Sequence, residues 1–417
     1  MSARELAQRL ARREITALEV TESCLERIAA REEVVRAWAF IDPDLARRQA
    51  RELDAGAVRG PLHGLPVGVK DILDTADMPS EYGTPIYAGH RPKWDAACVA
   101  LARSAGAVIL GKTVTTEFAT MTPGKTRHPR DPGRTPGGSS SGSAAAVADR
   151  MIPFGYGTQT VGSIIRPAAY CGVVGIKPSF GTISRSGMKM ASESLDTIGV
   201  IARSVEDAAL LLAGSAQRDD FLNIESLEKP KLGVCRSPNW KHMTPEGAAA
   251  FESAVKRLGQ LGARVIEAEM PFEELDAAAG RILAFEMARS FAHEMTHHRS
   301  RISPALVERR DAGLAMPYAE YAAALEYAAD CRRRLSDLTR GVDSLVTPGA
   351  TGEAPVGLGS TGNTAMNRLW TLLHGPCVTV PAGEGPAGMP LGVQLVGPPG
   401  GDARTLAAAR WVERVLT

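Results

Sequence analysis

Three short stretches carry side chains that could act together on a carbonyl. Lys70 closes the apolar run Leu65-Pro66-Val67-Gly68-Val69-Lys70, where it is expected to sit exposed at a strand end. Gly137-Gly138-Ser139-Ser140-Ser141-Gly142-Ser143 concentrates hydroxyls between glycines. Ser163 ends the small-residue turn Gly157-Thr158-Gln159-Thr160-Val161-Gly162-Ser163. A serine hydroxyl is a weak nucleophile until a base takes its proton, and a lysine can be that base only where burial disfavours its charge. A glycine-serine stretch alone reads equally well as a flexible linker. This one is short and lies between structured segments, and it leads into the helix former Ala144 to Ala148. The first turn of such a helix offers free N–H groups and a positive dipole end to developing negative charge.

Two further motifs point to other chemistries. Gly106-Ala107-Val108-Ile109-Leu110-Gly111-Lys112-Thr113 has the spacing of a phosphate-binding loop, which needs exposed backbone N–H groups. Its middle residues, Ala107 to Leu110, read as a strand whose N–H groups a sheet would consume, so a turn after a core strand is the better reading. His293-Glu294-Met295-Thr296-His297 has the spacing of a zinc-hydrolase helix, two histidines on one face with a glutamate as base. A catalytic zinc needs a third ligand, and His298 is expected to point to another side. The segment reads as a solvated helix face, and no metal or cofactor is assigned.

The elements that must position these groups alternate between strand and helix, which predicts an α/β fold: a large mixed sheet sandwiched between helical layers. Residues Ser2 to Asp54 read as helical with Thr16 as an N-cap, followed by a strand ending at Lys70, a helix over Asp95 to Ser104 and loop from Thr122 to Gly138. Strands are expected around Ile152 to Gly157 and Val173 to Lys177. From Thr244-Pro245, read as N-cap and first helical residue, to Leu338 the pattern is helical except at Val265-Ile266. Strand signals return at Leu345-Val346, Cys377 to Val380 and Leu391 to Val396, before a last helix capped by Asp402. The expected organisation is a single domain over 1–417: a helical N-terminal segment over 1–60, a core over 61–215, a mostly helical cover over 240–340 and a return to the core over 341–417.

Bulk composition narrows the partners. The 48 Lys and Arg against 47 Asp and Glu leave a net charge of +1, with no polybasic block to follow a phosphate backbone, so nucleic acid is not an expected partner. The six cysteines, Cys24, Cys98, Cys171, Cys235, Cys331 and Cys377, have neither metal-ligand spacing nor the density of a disulfide scaffold. With no apolar leader and no long apolar run, the expectation is a cytoplasmic protein that does not engage a membrane.

Taken together these stretches resemble the amidase signature family. The likeness runs from Pro61-Leu62-His63-Gly64-Leu65-Pro66-Val67-Gly68-Val69-Lys70-Asp71 through Leu195-Asp196-Thr197-Ile198-Gly199. It continues in Cys171-Gly172-Val173-Val174-Gly175-Ile176-Lys177-Pro178 and in Pro376-Cys377-Val378-Thr379-Val380-Pro381 with Gly388-Met389-Pro390-Leu391-Gly392-Val393-Gln394. The resemblance implies a Ser-cisSer-Lys triad on Ser163, Ser139 and Lys70, with Lys70 neutral and Ser139 relaying the proton. It also implies an oxyanion hole from the backbone of Thr160, Val161, Gly162 and Ser163, an acyl-enzyme intermediate, and release of ammonia or an amine.

The chain departs from the family's pattern at three places. Val161 stands where glycine is usual, and a β-branched residue is restrictive if that position needs φ above zero. Gln159 replaces a common aspartate but keeps a hydrogen-bonding amide. Arg166 lies three residues after Ser163, as in the malonamidase-like branch, so it is either a carboxylate anchor or a structural tie of the loop. Ser140, Thr158, Gln159 and Arg166 are thus the substrate-binding or supporting candidates. The acyl pocket is expected between the Thr120 to Arg127 loop, the Arg185 to Ser192 loop and the helical cover. The implied activity is hydrolysis of a small carboxylate-bearing amide, an aryl amide or a carbamate, with a small-molecule amide as the partner and a symmetric homodimer as the default assembly. The alternatives are an amidotransferase A-type subunit that supplies ammonia from glutamine within a complex, and a non-catalytic relative.

Overall fold

A computed structural model describes residues 1–417. Eleven strands form one mixed sheet: β1 (Trp38–Ile41), β2 (Pro66–Lys70), β3 (Val108–Thr113), β4 (Phe154–Gln159), β5 (Val174–Lys177), β6 (Thr197–Ala202), β7 (Lys231–Val234), β8 (Arg264–Glu267), β9 (Ser344–Pro348), β10 (Cys377–Glu384) and β11 (Pro390–Val396). Their spatial order is β1-β3-β2-β4-β6-β5-β10-β11-β9-β7-β8. Every residue of β2, β3, β4, β5, β6 and β9 is buried, so both faces of the sheet are covered there, as near-continuous apolar or glycine-rich strand sequences require. Fourteen α-helices provide the cover. The edge strand β8 is partly exposed, and its two ends carry the charged residues Arg264 and Glu267.

Helix starts follow local chemistry. Thr16 and Glu19 form a reciprocal capping box ahead of the helix Ala17–Val35, and Thr244 accepts the Gly247 N–H with Pro245 in the first turn of Pro245–Gln260. Two expectations fail. The lead-in is not wholly helical, because Trp38-Ala39-Phe40-Ile41 leaves the helical pattern and pairs antiparallel with β3 as an edge strand. Asp402 is not the cap of the last helix. Gly401 holds that place, and the Asp402 carboxylate turns into the core to accept from the Ser179 backbone N–H at 2.8 Å and from the Ser179 hydroxyl. All six cysteines are buried and unpaired, and no helix is long and apolar enough to cross a membrane.

Candidate active site

Strands β2 and β4 run parallel and adjacent, so Lys70 at the end of one and Thr158-Gln159 at the end of the other come out side by side. The carboxyl ends of parallel strands are where open α/β sheets bind ligands. The serine-rich loop is docked against this edge. Ser143 bonds the Tyr156 carbonyl at 2.7 Å, Ser141 and the Gly142 N–H both reach the Val114 carbonyl, and the helix Ser141–Ala148 follows. Gly142 permits that approach, since a Cβ there would lie 2.2 Å from the Ala37 carbonyl oxygen.

Lys70 is not exposed at its strand end but fully buried. Its Nζ lies 2.7 Å from Ser139 Oγ, 2.7 Å from Thr158 Oγ1 and 3.4 Å from the Thr158 carbonyl oxygen. The sequence could not show this, because the residues that enclose the amine come from other strands and loops. Burial drives its pKa well below the ordinary lysine value, and the Asp196 carboxylate only partly opposes this. Asp196 accepts from the Thr160 hydroxyl and from the backbone N–H groups of Ala191 and Ser192, at 2.7 and 3.0 Å, and burial raises its own pKa. The Gly138–Ser139 peptide is cis.

Ser163 lies in the turn after β4, and its carbonyl accepts the Ser140 N–H at 3.2 Å, which ties the two serine segments together. The backbone N–H groups of Thr160, Val161, Gly162 and Ser163 donate to no protein atom. The next two, of Ile164 and Ile165, both donate to the Gln159 side-chain oxygen, at 3.0 and 3.1 Å. Four successive unpaired donors beside a hydroxyl are groups that an anionic oxygen can use. Positive φ falls on Gly162, at 144°, and not on Val161, so the β-branched residue is not forced into a disfavoured conformation.

The supporting candidates are all close by. Ser140 Oγ bonds the Thr158 backbone, donating to its carbonyl and accepting from its N–H, both at 3.3 Å. Gln159 also donates to Thr371 Oγ1 at 3.0 Å. Arg166 is buried and donates to the carbonyls of Gly362 and Gly138, at 2.6 and 2.5 Å, and to Thr361 Oγ1. Burial lowers its pKa to about 10, and no carboxylate accompanies it.

A cavity of about 660 Å³ opens over Ser163. Of the two loops expected to line it, only Thr120 to Pro123 of the first and Ala191 of the second do so. The helix Leu275–Ser290, the helix Pro304–Ala315 and residues 359–364 form much of the rest. The last of these had no signal beyond being rich in Gly, Ser and Thr.

The other two motifs end differently. Lys112 lies inside β3, buried against Asp71 at 3.0 Å, so its neighbours' N–H groups belong to the sheet. His293 and His297 are exposed, and His298 is not turned away from them: the three rings lie 4.9 to 6.5 Å apart between centroids. Glu294 points inward to Lys189 and Tyr87, and no group of three or more His, Cys, Asp or Glu side chains is arranged to hold a metal.

The chain is similar to known proteins along most of its length. The Amidase family model matches residues 19–406. The glutamyl-tRNA(Gln) amidotransferase A subunit of Salinispora arenicola is 34% identical over 478 aligned positions, covering 100% of this chain and 97% of that one. The same-named protein of Acidothermus cellulolyticus is 42% identical over 67% of this chain, and that alignment spans 60% of the relative's length. Among solved structures, a crystallised amidase superposes with a TM-score of 0.92 at 33% identity, covering the whole of both chains. A family match over nearly the whole length, on a sheet of the same architecture, makes this chain a member of the amidase signature family.

Proposed function

We propose that the chain cleaves a carbon–nitrogen amide bond with Ser163 as nucleophile, Ser139 as proton relay and Lys70 as the neutral base. The observation that carries this reading is the surroundings of the Lys70 amine. Three oxygens lie within reach, and two of them, the Thr158 hydroxyl and carbonyl, suit the two N–H bonds of a neutral amine. The remaining lone pair then faces Ser139 at 2.7 Å and accepts its O–H. The Ser139 oxygen is thereby free to take the proton of Ser163 as the Ser163 oxygen attacks the carbonyl. The developing oxyanion falls to the unpaired N–H groups of residues 160–163, each such donor contributing about 2.7 to 4 kcal/mol to the barrier difference. Ser139 returns the proton to the departing nitrogen, and water hydrolyses the acyl-enzyme. Gln159 and Arg166 act by fixing the two loops, through the Ile164 and Ile165 amides and the Gly138 carbonyl.

A second reading has its own support. Curated relatives 34% and 42% identical to the chain are amidotransferase A subunits, which favours an ammonia-donating subunit that takes glutamine and works in a complex with partners. On sequence this reading is the better supported. The crystallised amidase, which superposes over the whole of both chains, favours a free hydrolase. Both use the same Ser163 chemistry and differ in substrate and company.

The test is amide, aryl-amide, carbamate and glutamine hydrolysis by the purified chain, alone and with co-expressed candidate partners. Ser163→Ala, Lys70→Ala and His293→Ala are compared with and without a chelator. Loss of turnover with Ser163→Ala and Lys70→Ala, but not with chelation or His293→Ala, supports the serine reading. Glutaminase activity that needs a co-purifying partner supports the amidotransferase reading. Turnover that survives Ser163→Ala but not chelation sinks both.

A further inference from the structure

The helix Leu275–Ser290 faces two ways. Gly280, Leu283, Ala284 and Met287, spaced three and four apart, line the cavity over Ser163. Glu286, on the flank of that stripe, is buried, does not line the cavity and turns instead to the segment 191–196. Its carboxyl group accepts from the Ser192 hydroxyl, from the Ser194 N–H at 3.0 Å, from the Ser194 hydroxyl, and from the Tyr321 hydroxyl at 2.8 Å. Four donors are about as many as a carboxyl group can take, so Glu286 is spent entirely on holding protein. The segment it holds ends in Asp196, which accepts the Ala191 and Ser192 N–H groups at 2.7 and 3.0 Å and the Thr160 hydroxyl. Ser192 thus serves both acids, giving its hydroxyl to Glu286 and its N–H to Asp196. Thr160 in turn opens the run of four unpaired N–H groups that ends at Ser163. A continuous series of buried hydrogen bonds therefore joins the cover helix to the Ser163 turn, and a satisfied network of this kind fixes the geometry of its members.

We infer that Glu286 is a positioning residue for the reaction at Ser163: it holds the segment 191–196 so that Asp196 fixes Thr160, and with Thr160 the direction of the N–H groups that receive the oxyanion. The inference rests on the serine reading of the site and adds to it a residue that touches neither the cavity nor Ser163. Donors aimed at developing charge act by being held in place, and a misplacement of about 1 Å is enough to lose most of their effect. The loss falls on the rate of the step in which charge develops. Binding is little affected, because the cavity-lining residues of the same helix keep their places.

The experiment is a double-mutant cycle read by labelling of Ser163 with a neutral fluorophosphonate. The maximal labelling rate and the half-saturating concentration are measured separately, and each protein is scaled to its folded fraction from a urea titration. Glu286→Gln, which keeps the shape but replaces an acceptor oxygen by a donor, should lower the maximal rate by about ten- to a hundredfold and change the half-saturating concentration by less than about threefold. Ser192→Ala removes one bond to Glu286 and keeps the N–H that Asp196 accepts, so it should show a smaller fall of the same kind. In a Thr160→Val background the hydroxyl that Asp196 accepts is gone while the backbone N–H remains. There Glu286→Gln should cost less than about threefold further, and Ser192→Ala nothing, since all three changes cut the same series of bonds. Falls of equal size in the two backgrounds, a change in the half-saturating concentration alone, or variants that unfold earlier yet label at the wild-type maximal rate overturn the inference and leave the serine reading standing. A wild-type chain whose Ser163 is not labelled ends both.

Discussion

The side-chain oxygen of Gln159 lies 3.0 Å from the backbone nitrogen of Ile164, the residue directly after Ser163. It takes the Ile165 N–H as well, so one amide closes the exit of the Ser163 turn while the four N–H groups before it stay open. Gln159→Leu would bury two donors unmet, at about 1 to 3 kcal/mol each. The expected result is a lower melting temperature and a kcat reduced by about tenfold or more with KM little changed. Gln159→Glu keeps the acceptor and retains more of the rate. Steady-state kinetics of the two variants checks this.

Lys70 sets the pH response. On the proposed reading its neutral form is the active one, so acylation of Ser163 should rise with pH through a pKa that burial has pushed well below the lysine value, and be flat above it. The stability effect has the same sign. Between the depressed folded pKa and the unfolded value of about 10.4, the unfolded chain binds more protons, so the contribution of Lys70 to stability grows as pH rises through that window. Lys70→Met should abolish acylation and flatten both dependences. Lys70→Arg, whose side chain stays protonated, should be inactive at every pH. Rates of fluorophosphonate labelling and urea midpoints across pH measure the two effects.

Which features of this site were legible follows from the distance along the chain at which each contact is made. The strand ending at Lys70 and the serine loop opening a helix are local patterns, and both are present at the expected positions. The burial of Lys70 is not local: it depends on Ser139 and Thr158, 69 and 88 residues away. Arg166 left two readings open in sequence because its acceptor at Gly362 lies 196 residues on. Trp38 to Ile41 was hidden by the helical periodicity on either side, and only pairing with β3 makes it a strand.

Glu294 and His293 should separate stability from catalysis. Glu294 is fully buried and bonded by the partly exposed Lys189 and by Tyr87, so Glu294→Ala leaves both without their acceptor and should destabilise the chain by about 1 to 3 kcal/mol. His293 is exposed, and His293→Ala should change stability by no more than about 0.5 kcal/mol. Residual turnover per folded molecule should be close to wild type in His293→Ala with or without a chelator. Denaturant titration alongside active-site counting by Ser163 labelling checks both.

Gly162 and Val161 make the opposite pair. The φ of 144° at Gly162 is one that L side chains rarely adopt, and an added Cβ would sit 2.8 Å from the Asn367 side chain. Asn367 cannot simply swing away, because its Nδ2 donates to the Gly349 carbonyl at 2.9 Å. Gly162→Ala must therefore shift the turn that carries the unpaired N–H groups, and kcat should fall by about a hundred- to a thousandfold, the effect of losing one oxyanion donor. Removing the clash with Asn367→Ala in the same chain should recover only a fraction of the rate, since the backbone strain remains. Val161→Gly, at a position without positive φ, should bring no gain in kcat. A fast Gly162→Ala enzyme, or a Val161→Gly variant with a raised kcat, would mean that the oxyanion is held elsewhere than in this turn.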